Sequence, residues 1–113
     1  MKADEVICRA WEQKKPELLN DIIADSFEWY EDPYGEVITN RDLLLSMWES
    51  DLEFQQNISV RLERIVEQPG LCISKWHATF TDASGSIELD GVFMIRLNDD
   101  QRLVEFRQWY AKK

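Results

Sequence analysis

Four long runs of extended character, parted by turns of only a few residues, fill the second half of this chain and constrain its fold more than any other feature. They are Ile58–Gln68, Leu71–Thr81, Ser86–Leu97 and Leu103–Tyr110, with Pro69-Gly70, Asp82-Ala83-Ser84-Gly85 and Asn98-Asp99-Asp100 between them. Connections this short join antiparallel neighbours, so the runs predict a meander. In the third run Ile87, Leu89, Gly91, Phe93, Ile95 and Leu97 alternate with Glu88, Asp90, Val92, Met94 and Arg96. One face is almost wholly apolar and the other mixed, as in a sheet covered on one side only. Strands of this length coil, and Gly91 is a candidate bend.

The cover has to come from the first half. In Ala3–Lys14 the apolar residues Val6, Ile7, Ala10 and Trp11 form one helical stripe. Pro16 suits the first position of a second helix, about Pro16–Ala24, carrying Leu18, Leu19, Ile22 and Ile23. Phe27–Asp32 reads as an aromatic strand ended by Pro33 and Gly35, and Glu36–Ile38 reads as a short strand pairing back on it. Thr39 or Asn40 caps a third helix whose inward stripe includes Leu44, Met47, Trp48 and Leu52. The 113 residues suffice for one domain, 1–113. Helices laid on one face of a curved antiparallel sheet make an α+β layer fold. The two layers cannot touch everywhere, which leaves an apolar hollow where a small ligand would sit.

Charge narrows the partners. Thirteen Lys and Arg against 22 Asp and Glu leave a net charge of −9, which disfavours nucleic acid and anionic membrane surfaces alike. Residues 1–20 are charged throughout, no run approaches the length of a membrane span, and Cys8 and Cys72 stand far apart. These features predict a cytoplasmic protein with two reduced thiols. One His and no Cys-x-x-Cys give no zinc ligand set, so neither a metal nor a cofactor is expected.

The order helix, helix, strand, helix, four-strand meander resembles the nuclear transport factor 2-like superfamily, also described as SnoaL-like. The local matches are Ala24-Asp25, Glu31-Asp32-Pro33-Tyr34-Gly35, Asn40-Arg41-Asp42, the segment Gly91 to Leu97, and Arg102-Leu103-Val104-Glu105. The resemblance implies a cystatin-like cone, its curved antiparallel sheet covered by three N-terminal-half helices, usually paired as a homodimer through the outer sheet surface. The Glu-Asp-Pro-aromatic-Gly segment is similar to that of the ketosteroid isomerases, which would make Asp32 the general base, a site the handling of carboxyl pKa values in those enzymes illustrates. Two departures argue against a steroid isomerase. The positions corresponding to its oxyanion donors hold Trp11 and Phe93, and a Phe ring cannot donate a hydrogen bond.

Asp32 is therefore the candidate catalytic residue, because a carboxylate facing an apolar hollow is pushed towards a useful basicity. The alternative is that its side chain caps its own turn. The candidate ligand-pocket set is Trp11, Tyr30, Trp48, Trp76, Phe80, Phe93, Phe106, Gln108 and Tyr110, read either as a ring-lined site for a small apolar or aromatic molecule or as core filling. Strand phasing sends His77, Glu105, Arg107 and Trp109 to the outer face, where they would form a homodimer seam. If the phasing is inverted, these residues line the hollow instead. A Cys–His nucleophile pair would need His77 beside Cys8 or Cys72, and the phase of Cys72 is wrong for it. Whether the domain is an enzyme stays open at this level. The three readings are acid/base chemistry, ligand binding alone, and a non-catalytic dimerisation or protein-interaction module with a vestigial pocket.

Overall fold

The computed structural model describes residues 1–113. Helix α1 (Ala3–Glu12) leads into a 3₁₀ turn, Pro16–Asp21, and then strand β1 (Ile23–Tyr30). Helix α2 (Arg41–Glu53) follows, and after it the meander β2 (Gln56–Gln68), β3 (Leu71–Asp82), β4 (Gly85–Leu97) and β5 (Leu103–Lys112). The strands form one curved sheet in the order β1-β5-β4-β3-β2.

The meander pairs antiparallel as expected, but β1 runs parallel to β5. The sheet is therefore mixed rather than wholly antiparallel. The expected second helix is also corrected. It is a 3₁₀ segment that stops at Asp21, and Ile23 and Ala24 already belong to β1. The cause is competition for the backbone: the Leu103 N–H donates to the Ile22 carbonyl at 2.7 Å, drawing the chain into the sheet. Ile38 does pair back on Trp29, as an isolated bridge. Asn40 caps α2, its side chain accepting from the Leu43 N–H at 2.9 Å. Pro69-Gly70 makes a two-residue turn in which Gly70 takes φ +78°, a left-handed conformation that costs glycine little.

Alternation along the strands decides what is buried. Trp29, Trp76, Phe93, Ile95 and Phe106 point inward and pack with Ile7 and Ala10 of α1, Leu19, and Leu44 of α2. Such interlocked apolar surface is the main stabilising term of the fold. One acid is buried with it. Asp4, in the first turn of α1 and 0% exposed, accepts from Arg64 Nε and Nη2 at 2.9 and 2.8 Å and from Ser74 Oγ at 2.7 Å. This forked pair fastens α1 to β2 and β3. Burial by itself would raise the Asp4 pKa, but the hydrogen bonds from Arg64 and Ser74, with the guanidinium charge, outweigh it and hold the carboxyl below its ordinary value.

Candidate functional site

A cavity of about 250 Å³ lies between the helices and the inner sheet face, just below the roughly 300–1,000 Å³ of ordinary ligand sites. Ile7 and Trp11 of α1 close one side, and Trp48, Asp51 and Leu52 of α2, with Gln55, close another. The sheet contributes Trp76 and Phe80 from β3, Leu89 and Phe93 from β4, and Gln108 and Tyr110 from β5. The remaining wall is Glu31, the residue just after β1.

Glu31 is the most constrained polar group in the cavity. Its Oε1 accepts from Trp29 Nε1 at 2.8 Å and from Trp48 Nε1 at 2.6 Å, and Gln108 Nε2 donates to its main-chain carbonyl at 3.0 Å. Burial raises its pKa; the two indole hydrogen bonds work against that, and the charges of Asp51 and Asp32 reinforce it. Asp51, at the mouth, is also raised by burial. The result is an acid on the floor and an acid at the rim, with no Lys, Arg or His among the lining residues.

The aromatic walls are fixed by their own contacts. Trp11 donates Nε1 to Gln55 Oε1 at 2.8 Å and meets Trp76 edge to face at 5.2 Å. Trp76 in turn lies on Gly91, its partner across the β3–β4 ladder: a Cβ at that glycine would stand 2.3 Å from the indole Cζ2. Gly91 thus makes room for a ring. Trp76 is 1% exposed, and its Nε1 is the one buried side-chain polar atom in the molecule with no hydrogen-bond partner.

The structure sorts the expected site residues. Trp11, Trp48, Trp76, Phe80, Phe93, Gln108 and Tyr110 come together around the cavity. Tyr30 does not: it is on the outer face with the Arg107 guanidinium 4.0 Å above its ring. Phe106 is core, stacked on Trp29 at 3.9 Å beneath the cavity wall. Asp32 sits in the turn, its Oδ1 accepting from the Tyr34 N–H at 2.8 Å, and is not a lining residue. The acid inside is its neighbour Glu31. Alternation gave the signal for this, since buried Phe27 and Trp29 put odd-numbered side chains inward and the phase carries on one residue past the strand.

His77, Glu105, Arg107 and Trp109 are on the outer face, as phased. His77 is bracketed by Asp90 at 2.8 Å and Glu88 at 3.5 Å, and Glu105 pairs with both Arg96 and Arg107. Trp109, Val92 and part of Met94 are left uncovered there. Both cysteines are free and buried. Burial, then the charges of Asp4, Glu12 and Glu5, push the Cys8 thiol up to about 12, so it has no nucleophilic character near neutrality.

No curated protein matches the sequence. Among solved structures, a Mycobacterium tuberculosis protein in complex with estradiol-17β-hemisuccinate superposes with a TM-score of 0.80 at 16% identity, covering 96% of this chain and 91% of that one. A Catenulispora acidiphila protein with a ketosteroid isomerase-like fold, in complex with trimethylamine, gives 0.81 at 12% identity, covering 96% and 85%. An LEH-like epoxide hydrolase from M. tuberculosis gives 0.77 at 12%, covering 96% and 80%. Identities this low establish the shared fold. The family model for the SnoaL-like domain matches residues 5–106, nearly the whole chain, and the protein accordingly belongs to the SnoaL-like domain family of the nuclear transport factor 2-like superfamily.

Proposed function

We propose that the domain binds a small, largely apolar molecule in the cavity and that Glu31 exchanges a proton with it. The observation that carries this reading is the placement of Glu31. A carboxyl gripped by Trp29 and Trp48, raised in pKa by burial and facing a second acid, is held in one rotamer with its proton affinity moved towards neutrality. Trp11, Trp48, Trp76, Phe80, Phe93 and Tyr110 would grip the apolar body of the ligand. Gln108, whose Nε2 also stands 3.4 Å from Glu31 Oε2, would hold the acid in register. Asp32 would act indirectly, by closing the turn that sets Glu31 in place and by adding negative charge beside it. Relatives solved with estradiol hemisuccinate and with trimethylamine support a small-molecule role for this fold.

On this reading the outer sheet face pairs two copies of the chain around Trp109, with His77, Glu105 and Arg107 at the seam. Two free buried thiols support a reducing compartment, the cytoplasm, and no helix is long and apolar enough to cross a membrane. A ligand-observed and indole N–H NMR screen of small aromatic and aliphatic compounds tests the cavity reading. Hits should shift the Trp11, Trp48 and Trp76 indole signals and leave Trp109 unmoved. Hits confined to Trp109 and His77 would instead favour a module that works only through its outer surface.

A further inference from the structure

Resting on that reading of the cavity, we infer that its ligand is a compact uncharged molecule with an acceptor oxygen on an otherwise apolar body, and that Glu31 orients it by donating a hydrogen bond from Oε2. The two carboxyl oxygens of Glu31 differ in their surroundings. Oε1 accepts from Trp29 Nε1 at 2.8 Å and from Trp48 Nε1 at 2.6 Å. Two donors fill its lone pairs, so Oε1 is the carbonyl-like oxygen and a proton on this carboxyl belongs on the other one. Oε2 has a single neighbour, Gln108 Nε2 at 3.4 Å, and that amide makes its shorter bond, 3.0 Å, to the Glu31 main-chain carbonyl. Glu31 is partly exposed, and both it and Gln108 line the cavity. Oε2 is thus the oxygen left over for a bound molecule.

Its surroundings also decide which kind of hydrogen bond Oε2 makes. No Lys, Arg or His lines the cavity, and the charges that act on Glu31 are those of Asp51 and Asp32. Beyond the two indoles nothing there stabilises a carboxylate, and burial favours the uncharged acid. An uncharged acid whose Oε1 is taken has one thing to offer a ligand, the hydrogen on Oε2.

The rest of the wall asks for little else. Trp11 spends its indole N–H on Gln55, and Ile7, Leu52, Phe80, Leu89 and Phe93 are apolar. An anion finds no basic partner in this cavity, and a cation finds no carboxyl held in its charged form. A small ether or carbonyl compound matches both the rings and the donor.

Three rings of one shape separate the possibilities. Tetrahydropyran carries an ether oxygen, cyclohexane a methylene in its place, and piperidine, protonated at neutral pH, a cationic N–H donor. Binding is read from the Trp11 and Trp48 indole N–H signals of the intact protein, on the acid side of the Glu31 titration. Glu31→Leu should weaken tetrahydropyran about three- to tenfold without weakening cyclohexane. Glu31→Gln, which sets an amide N–H where the Oε2 hydrogen stood, should hold tetrahydropyran within about twofold of the wild type. In the wild type, tetrahydropyran should weaken as pH rises through the Glu31 titration, because Oε2 passes from donor to acceptor, and cyclohexane should not. The titratable groups facing Glu31 are Asp51 of α2 and Tyr110 of β5, across the cavity, and Asp32 beside it. Asp51→Asn and Asp32→Asn should therefore keep that dependence, and Glu31→Gln should lose it. Should Glu31→Leu not fold, the pH dependence and its loss in Glu31→Gln decide the matter alone. If piperidinium binds tightest and Glu31→Gln abolishes its lead, Oε2 is an acceptor and the donor assignment is wrong while the cavity reading stands. If Glu31→Leu weakens tetrahydropyran no more than cyclohexane, Glu31 is not the donor. If none of the three rings moves the Trp11 or Trp48 signal, the donor assignment and the cavity reading fall together.

Discussion

At the scale of single residues, two acids in this molecule are tuned in opposite directions, and the difference is one of partners. Asp4 is buried against a guanidinium and a hydroxyl, so its charged form is favoured. A carboxyl lowered in the folded state adds stability that is present above its unfolded pKa, near 3.8, and is lost as pH falls below that. Asp4→Asn should therefore cost about 2 kcal/mol in urea unfolding at pH 7 and less at pH 3; equal stability at pH 7 would remove the clamp from the account of α1. Glu31 has no cation beside it: burial moves its pKa up, the indole hydrogen bonds from Trp29 and Trp48 offset only part of that, and the charges of Asp51 and Asp32 add to it. Neither role was plain in the sequence. Asp4 looks like an ordinary first-turn acid until β2 and β3 bring Arg64 and Ser74 to it, and both lie far along the chain. Asp32 drew attention through its Pro-Tyr-Gly context, but that context is a turn whose Tyr34 N–H donates to the Asp32 carboxylate.

Elements with strong punctuation were legible and those without it were not. Pro69-Gly70 and the Asn98 segment mark strand ends because their geometry is local: Gly70 takes a positive φ, and Asn98 Oδ1 accepts from the Asp100 and Arg102 N–H groups at 3.0 Å each. The Pro16–Ala24 stretch was ambiguous, since Leu18, Leu19, Ile22 and Ile23 fit a short helix and an entering strand equally. Pairing with β5, far along the chain, resolved it, as the Leu103 N–H to Ile22 carbonyl bond shows. Gly91 was read as a bend, and its contacts give it a more specific task, which is to leave room for the Trp76 ring. Gly91→Ala would place a methyl 2.3 Å from Cζ2 of that ring and 2.7 Å from the Trp109 carbonyl oxygen. The backbone oxygen can yield little, so the ring must move into the cavity. The expected cost is about 1–3 kcal/mol of stability with a displaced Trp76 indole signal; an unchanged signal and midpoint would show that the glycine is not needed for the ring.

For the molecule as a whole, the layer order and the hollow between the layers followed from the periodicity of the strands and helices, whereas the parallel β1–β5 edge could not, because nothing local names a pairing partner so distant in sequence. The phase of β3 and β5 correctly divided the rings between two faces, cavity inside and Trp109 outside. That outer face makes its own demand. Light scattering at micromolar protein should report a dimer, and Trp109→Glu should return it to monomer while leaving the cavity indole signals in place; a monomeric wild type would leave the outer face without its proposed partner. The inner face rests on Glu31. A carboxyl raised in the folded state favours the protein at low pH and loses that advantage as pH rises above its unfolded value, near 4.5. Glu31→Gln, which keeps an acceptor for both indoles, should therefore gain stability relative to the wild type as pH rises. The most direct measurement is the carboxyl titration of Glu31 by NMR in ¹³C-labelled protein. The expected result is a midpoint clearly above that of an ordinary glutamate, absent in Glu31→Gln and retained in Asp32→Asn; a midpoint at or below the ordinary value would contradict the proton-exchanging role of the cavity.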